Sequence, residues 1–206
     1  MTNRSTTVFG AVLLGIAVLA ACGTVTTIAK TWRNPDHQGG PFQKIFVIGV
    51  GENEDNRRLF EDRFAAVLSG PGLVASPSYG TLPQSDRLSE EQIREAIEGG
   101  GYDGVIVTRL LGVEEETEYV PPRSYTVGRR YSGVYGYYGT TYDTIHEPGY
   151  TTTRTVVRLE TNLYDVASGE LAWSGQSETF DPDPLTEGID SVTKAVAKRL
   201  REEGLV

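Results

Sequence analysis

The chain is poor in the residues that most often carry reactions. Its 206 residues include one cysteine, one methionine, two tryptophans and two histidines. A lone cysteine excludes an internal disulfide, so any fold must be held by its core. His37 and His146 lie far apart in sequence, without the short spacing to other ligands that zinc sites show, and read as isolated surface histidines. No metal and no cofactor are expected. No G-x-S-x-G elbow occurs, which leaves serine and cysteine nucleophiles without local support. Basic residues are also outnumbered, 19 Lys and Arg against 28 Asp and Glu, for a net charge of −9. Such a surface repels phosphate backbones and argues against nucleic acid as a partner. The single long apolar stretch, Val8 to Ala21, falls short of the roughly 20 residues needed to cross a bilayer core.

What is there begins at the amino terminus. Arg4 supplies a positive start, the apolar run follows, and small residues precede Cys22, the layout of a secretory signal. Leu19, Ala20, Ala21 and Cys22 together resemble the bacterial lipoprotein box, in which small side chains let the peptidase bind beside a cysteine that already carries lipid. The resemblance implies cleavage before Cys22, a diacylglyceryl thioether on its sulfur and a fatty acyl group such as palmitate on its new amino terminus. Several acyl chains, at about 0.8 kcal/mol per buried methylene, make a lasting membrane anchor. Gly23 after the cysteine matches the sorting pattern of outer-membrane lipoproteins facing the periplasm. Residues 1–21 are therefore expected to be a signal peptide, 22–31 a lipid anchor and tether ("GTVTTIAKT" being small and polar, although Ile28 and Trp32 could already belong to the first structured edge), and 32–206 a periplasmic domain. Cleavage would remove 21 of the 206 residues, leave 185, and take the charge to −10 with the loss of Arg4. That length suits one domain plus a long loop.

Along the domain, "KIFVIGV" (Lys44 to Val50) is a continuous apolar run typical of a central strand covered on both faces. Leu59, Phe60, Phe64, Val67 and Leu68 then mark one face of a helix that Asn53 can cap and Gly70 can end. "GLVASPSY" reads as a shorter strand. A second helix opens on a capping box of Ser89 and Gln92 and turns Ile93, Ala96 and Ile97 inward. "YDGVIVTRLLGV" is a third strand, with an acidic exit through Glu114, Glu115, Glu116 and Glu118. Strand, helix, strand, helix, strand favours parallel pairing through right-handed crossovers. Residues 151–180 read as a hairpin turning at Gly169, with Val157, Leu159, Thr161 and Leu163 on one face and Leu171 and Trp173 sharing the buried side across it. A last helix starts near Asp183 and Pro184, points Ile189, Val192, Val196 and Leu200 inward, and stops at Gly204. The fold class expected is α/β, a mixed sheet of about five strands and three helices in the order β-α-β-α-β, β-hairpin, C-terminal helix. A Tyr/Gly-rich insertion, 119–152, separates the third and fourth strands as a mobile loop or loose hairpin.

"FEDRFAAVL", "GYDGVIV" and "RLETNLYDVASGELAWSGQSETFDP" resemble a set of uncharacterised bacterial envelope lipoproteins grouped as domains of unknown function. The element order is also similar to the periplasmic α/β domains of the curli-secretion lipoprotein, the penicillin-binding-protein activator lipoproteins and the amino-terminal domain of TolB. These resemblances imply a role through contact with other envelope proteins and no catalytic residue.

Three stretches invite chemistry. "VIGVGENED" offers Gly49 and Gly51 of a dinucleotide fingerprint, but Glu54 stands where a third glycine belongs and Glu52 and Asp55 flank it, opposing a pyrophosphate. The acid clusters "EEETE" and "DPDP" read as a solvated strand end and as a turn with a helix cap, while Asp181 and Asp183 alone are too few oxygen ligands for calcium. The third is the insertion, which holds 8 of the 11 tyrosines. Tyrosine joins broad contact area to few rotors and a hydroxyl, which suits binding surfaces. Tyr125, Arg129, Arg130, Tyr131, Tyr135, Tyr137, Tyr138 and Tyr142 are the candidate partner-binding residues, for an envelope protein or a glycan. The expected function is a noncatalytic, lipid-anchored accessory or adaptor protein. The alternatives are a periplasmic hydrolase using acidic residues, which needs two carboxylates in opposed environments, and a subunit of an oligomeric secretion pore, which needs lipid-facing strands of about 9 to 11 alternating residues.

Overall fold

The computed structural model describes residues 24–37, 39–82, 89–129 and 141–206. Eight strands and three helices follow one another as β1 (Val25–Arg33), β2 (Lys44–Val50), α1 (Glu54–Leu68), β3 (Val74–Pro77), α2 (Glu90–Gly100), β4 (Gly104–Val120), β5 (Arg123–Arg129), β6 (Thr141–Glu147), β7 (Tyr150–Asp165), β8 (Leu171–Phe180) and α3 (Leu185–Glu202). Six strands form one mixed sheet in the order β1-β8-β7-β4-β2-β3, and β5 and β6 form a second, two-stranded sheet. The α/β class and the C-terminal helix are as expected, with one strand more in the main sheet and, in the insertion read as a mobile loop or loose hairpin, a strand pair.

β2 is flanked by β3 and β4, both parallel to it. Because the chain reverses direction across β2, successive right-handed crossovers set α1 and α2 on opposite faces. The alternation of β2 agrees: Ile45 and Val47 pack with Phe64 and Leu68 of α1 and Val192, Val196 and Leu200 of α3, whereas Phe46 packs with Val105, Leu82 and the Ile93, Ala96 and Ile97 face of α2. Asn53 Oδ1 caps α1 by accepting from Asn56 N, and Ser89 and Gln92 complete the capping box of α2. α1 ends at Ser69, not at Gly70, whose backbone bridges to Leu73 instead.

β7 and β8 make the expected hairpin. Gly169 takes the left-handed conformation its turn needs, φ +72°, and Asp165 closes the turn by accepting from Ser168 N. A register shift between Leu163 and Tyr164 interrupts the alternation. It puts Ala172, and not Leu171, beside Trp173 in the core, because one extra residue on a strand exchanges its faces.

β1 is a correction. The segment read as tether pairs antiparallel with β8 from Val25–Phe180 to Arg33–Trp173. Its polarity concealed an inward period of two: Thr26 meets Thr179 at 2.8 Å and Ile28 packs on the core. The C-terminal tail is likewise structural, since Leu205 is fully buried and its carbonyl accepts from Phe42 N.

Trp173 is the largest fully buried side chain, and a β-carbon at Gly175 would stand 2.2 Å from its Cη2. Position 175 must therefore stay bare for the indole to lie flat. Trp173→Ala is expected to cost about 3–5 kcal/mol in urea unfolding; a variant as stable as the parent would place the indole outside the core.

Candidate functional site

Ligands of open α/β sheets bind beyond the carboxyl ends of the parallel strands, where strand order reverses. Here that place lies past Val50 of β2 and Pro77 of β3. The amino end of α1 arriving there is capped by the chain's own Asn53 and carries Glu54 and Asp55 in its first turn. Behind it lies a buried ion pair that no motif announces. Glu61 is fully buried and Arg57 nearly so, with Arg57 Nε donating to Glu61 Oε1 at 2.9 Å. The same oxygen accepts from Gly49 N at 2.9 Å and from Ser78 Oγ at 2.8 Å, and Glu61 Oε2 accepts from Tyr79 N at 2.9 Å. Arg57 Nη2 also donates to Ser78 Oγ and to the Leu82 carbonyl. This carboxylate is saturated with donors, so it ties together the end of β2, α1 and the segment after β3. At the rim, the hydrogen bond from Tyr79 to Asp62 raises the phenol above its ordinary range.

The two histidines have different settings. His37, expected at the surface, is half-buried with its side chain largely covered: its ring stacks on Phe42 at 5.6 Å between centroids and its Nδ1 lies 3.6 Å from Asp165 Oδ2. His146 lies in β6, where its Nδ1 and the Ser124 hydroxyl are 2.7 Å apart. Among the described residues no three or more His, Cys, Asp or Glu come together as a metal would require.

The second candidate place is the arm formed by β4 and β7. β2 ends opposite Arg109 and β8 ends opposite Val156, yet the β4–β7 ladder continues to Val120–Tyr150. The "EEETE" acids sit inside this two-stranded extension. Arg154 donates to Glu116 at 2.8 Å, and Arg158 reaches Glu116 at 3.1 Å, Glu178 at 2.9 Å and also Glu114. The Arg154 guanidinium lies over the Phe180 ring, 4.8 Å from its centroid. The hydrogen bond from Arg154, helped by both arginine charges, holds the Glu116 carboxyl below the usual range, while hydrogen bonds to Glu114 and Glu178 raise Arg158. Asp181, one of the two "DPDP" acids, fastens the base of the arm by accepting from Thr155 N through Oδ1 and donating from its own N to the Thr155 carbonyl.

Beyond Pro121 and Pro122 the chain resumes as β5, paired with β6 from Arg123–Glu147 to Arg129–Thr141. Of the two forms expected for the insertion, mobile loop or loose hairpin, these flanks take the strand pairing of the hairpin. Thr, Tyr, Val and Ile favour a pleated surface, and four of the insertion's five glycines fall in 128–139, away from most of both strands. Tyr125 lies in β5, opposite Ile145; Arg129 pairs with Thr141 and Tyr142 with Gly128 through the backbone. The other candidates, Arg130, Tyr131, Tyr135, Tyr137 and Tyr138, and the lipidation residues Leu19, Ala20, Ala21 and Cys22 lie outside the described residues.

No protein-family model matches the chain, and no curated protein does. Among solved structures the chain is similar to the PelC dodecamer from Paraburkholderia phytofirmans, at 16% identity over 88% of this chain and 99% of that one, with a TM-score of 0.45. It is similar to lipoprotein GNA1162 from Neisseria meningitidis, at 15% identity over 77% of this chain and 98% of that one, with a TM-score of 0.41. A PDZ domain protein from Parabacteroides distasonis is similar at 10% identity over 87% of this chain and 36% of that one, with a TM-score of 0.35. At these values the function has to be read from the chain's own geometry.

Two predictions separate the two ion-pair systems. Arg57→Ala leaves the Glu61 charge buried without its partner and is expected to cost about 3–5 kcal/mol by denaturant titration; near-neutrality would mean that water replaces the guanidinium. Glu116 behaves differently. Because its folded-state pKa is lowered, its stabilisation is complete above the ordinary carboxylate range and is lost as pH falls through the lowered value. The unfolding midpoint of Glu116→Gln should lie below the parent's at neutral pH, with the gap closing on acidification; a gap independent of pH would show that the carboxylate charge is not involved.

Proposed function

We propose that the protein is a lipid-anchored accessory protein at the periplasmic face of the outer membrane, noncatalytic, which works by contact with another envelope component, protein or glycan. The observation that carries this reading is the arm. It rises from a covered sheet as an exposed antiparallel ladder and continues into a strand pair that includes Tyr125. Backbone pairing, four arginine-carboxylate contacts at its base and the Asp181 clamp hold it in a defined shape. A shaped element with almost no buried surface does little for stability, and it presents aromatic rings and backbone edge to a partner. The lipoprotein box ending in Cys22 supplies the location: acyl chains on that cysteine hold the domain at a leaflet, where the partner is also confined.

The arm's outer part is separable. Val120 and Tyr150 are directly opposed, so an Asn-Gly turn can replace residues 121–149. This variant should unfold within about 2–4 °C of the parent, the shift expected for roughly 1 kcal/mol in a domain of this size. In its native envelope the full chain should crosslink to a defined component that the shortened chain no longer captures. Capture by both would move the contact to another surface, and a collapse of the melting temperature would make the outer strands part of the folding unit. Mass spectrometry of Cys22 tests the anchor, which an unmodified thiol would eliminate.

A further inference from the structure

We infer that the outer strand pair is a separate body, joined to the arm by a hinge at residues 121–122 and 148–149, and that it swings there to meet a contact at an adjustable angle. The hinge rests neither on Cys22 nor on the nature of the partner.

The register shows where the two bodies meet. Val120 opposes Tyr150 in the β4–β7 ladder, and three residues further along each strand Arg123 opposes Glu147 in the β5–β6 ladder. Two residues per strand intervene, so the register carries through unchanged. A continuous ladder would set Pro121 opposite Gly149 and Pro122 opposite Pro148. Three of these four residues have no backbone N–H to give. Antiparallel positions alternate between pairs that exchange two hydrogen bonds and pairs that exchange none. With Pro122 and Pro148 as the bonded pair both donors are missing; with Pro121 and Gly149 only one remains. Among the described residues no backbone hydrogen bond joins 121–122 to 148–149. Protection of a strand edge does not account for this pattern. Proline blunts an edge where an N–H points outward, whereas the adjacent Pro121 and Pro122 remove an outward and an inward donor together.

The fourth residue supplies the freedom. A β-carbon at Gly149 would stand 2.6 Å from Tyr119 Oη, 2.9 Å from Pro122 Cδ and 3.0 Å from the Val120 carbonyl oxygen. The facing strand passes so close that only glycine fits, and glycine also has the widest choice of φ and ψ. Pro121 and Pro122, with φ fixed, keep their strand extended and its length constant. On either side of the break the structure is braced. Inside it, Arg154 and Arg158 donate to Glu116 across the ladder and Asp181 clamps Thr155. Outside it, seven paired positions join β5 to β6, and the contacts of Ser124 Oγ with His146 Nδ1 at 2.7 Å and of Tyr125 Oη with Glu147 at 3.3 Å stay within the pair. Two strands alone are marginal in water, but the inner arm delivers these two side by side and in register, which removes most of the closure entropy. Bending is thereby confined to one level.

Pulsed electron spin resonance on the detergent-solubilised full chain tests the hinge, with Cys22→Ser so that spin labels occupy only introduced cysteines. One label is carried by Lys194→Cys on α3 and the other by Thr152→Cys on the inner arm or Thr144→Cys on the outer pair, all three positions being exposed. Thr144 lies four residues beyond Pro148, a lever of about 13 Å, so a swing of about 5 Å should make its distance distribution roughly twice as broad as that of Thr152. Restoring the donors with Pro121→Thr, Pro122→Val and Pro148→Thr should narrow it to the Thr152 width. Equal widths without these changes would overturn the inference, and that comparison decides even where the triple variant fails to fold. A triple variant with the parent's urea midpoint and an unchanged broad distribution would overturn it too, because the missing donors would not be the cause. Labels at Thr126 and Thr144, directly opposed in the outer pair, should broaden the continuous-wave spectrum by their proximity. Loss of that broadening would also overturn the inference, by showing strands that separate rather than swing together.

Discussion

The antiparallel ladder between β4 and β7 is the constraint on which the rest depends. It runs unbroken in direction from Gly104–Asp165, deep between the helices, to Val120–Tyr150, far outside them. Its backbone hydrogen bonds are of one kind throughout, but apolar burial accompanies only the inner half, around Ile106 and Leu163. The inner half is therefore paid for by the core, and the outer half is an extension of pairing already nucleated there. Extending a ladder costs less entropy than starting one, so two strands that would not hold alone in water persist as an arm. Opening free energy should fall along it from core to tip, in the manner of sub-global opening rather than global unfolding.

The boundary between the halves is built. A register shift between Leu110 and Gly112 places an extra residue, Leu111, where β2 gives out and leaves the outer edge of β4 unpaired. Such an edge is an invitation to promiscuous pairing, and the acids of "EEETE" along it are the residue type that discourages it. On the sheet's other side Asp181 adds one backbone-like exchange with Thr155 beyond the end of β8. It does so with φ +45°, a conformation that aspartate tolerates better than most side chains. The acidic clusters thus serve edge protection and fastening at the same place.

Legibility followed the range of the physics involved. The central strand, the caps at Asn53 and Ser89, the turn at Gly169 and the inward face of the last helix were all readable, because each rests on neighbours within a few residues. β1 was legible only through Ile28 and Trp32, since the partner that makes a strand of "VTTIAKTWR" lies some 150 residues later in β8. Arg57 and Glu61 were hidden by type: at a spacing of four they look like an exposed helix pair. Yet with Phe64 and Leu68 they continue a single stripe, 57, 61, 64, 68, and that shared spacing was the available signal. His37 was misjudged for a similar reason, because a ring stacked on Phe42 leaves no local pattern. In the insertion, glycine content averaged over the whole segment masked two flanks of strand-forming residues.

The two ion-pair systems divide the molecule by dielectric rather than by chemistry. Arg57 and Glu61 are shut away from water, the Glu61 carboxylate accepting from Gly49 N, Ser78 Oγ and Tyr79 N besides Arg57 Nε. Arg154, Arg158, Glu114 and Glu116 make a comparable network in the open, where added salt screens charges beyond about 8–10 Å. The domain and its arm therefore answer separately to the ionic conditions of the medium.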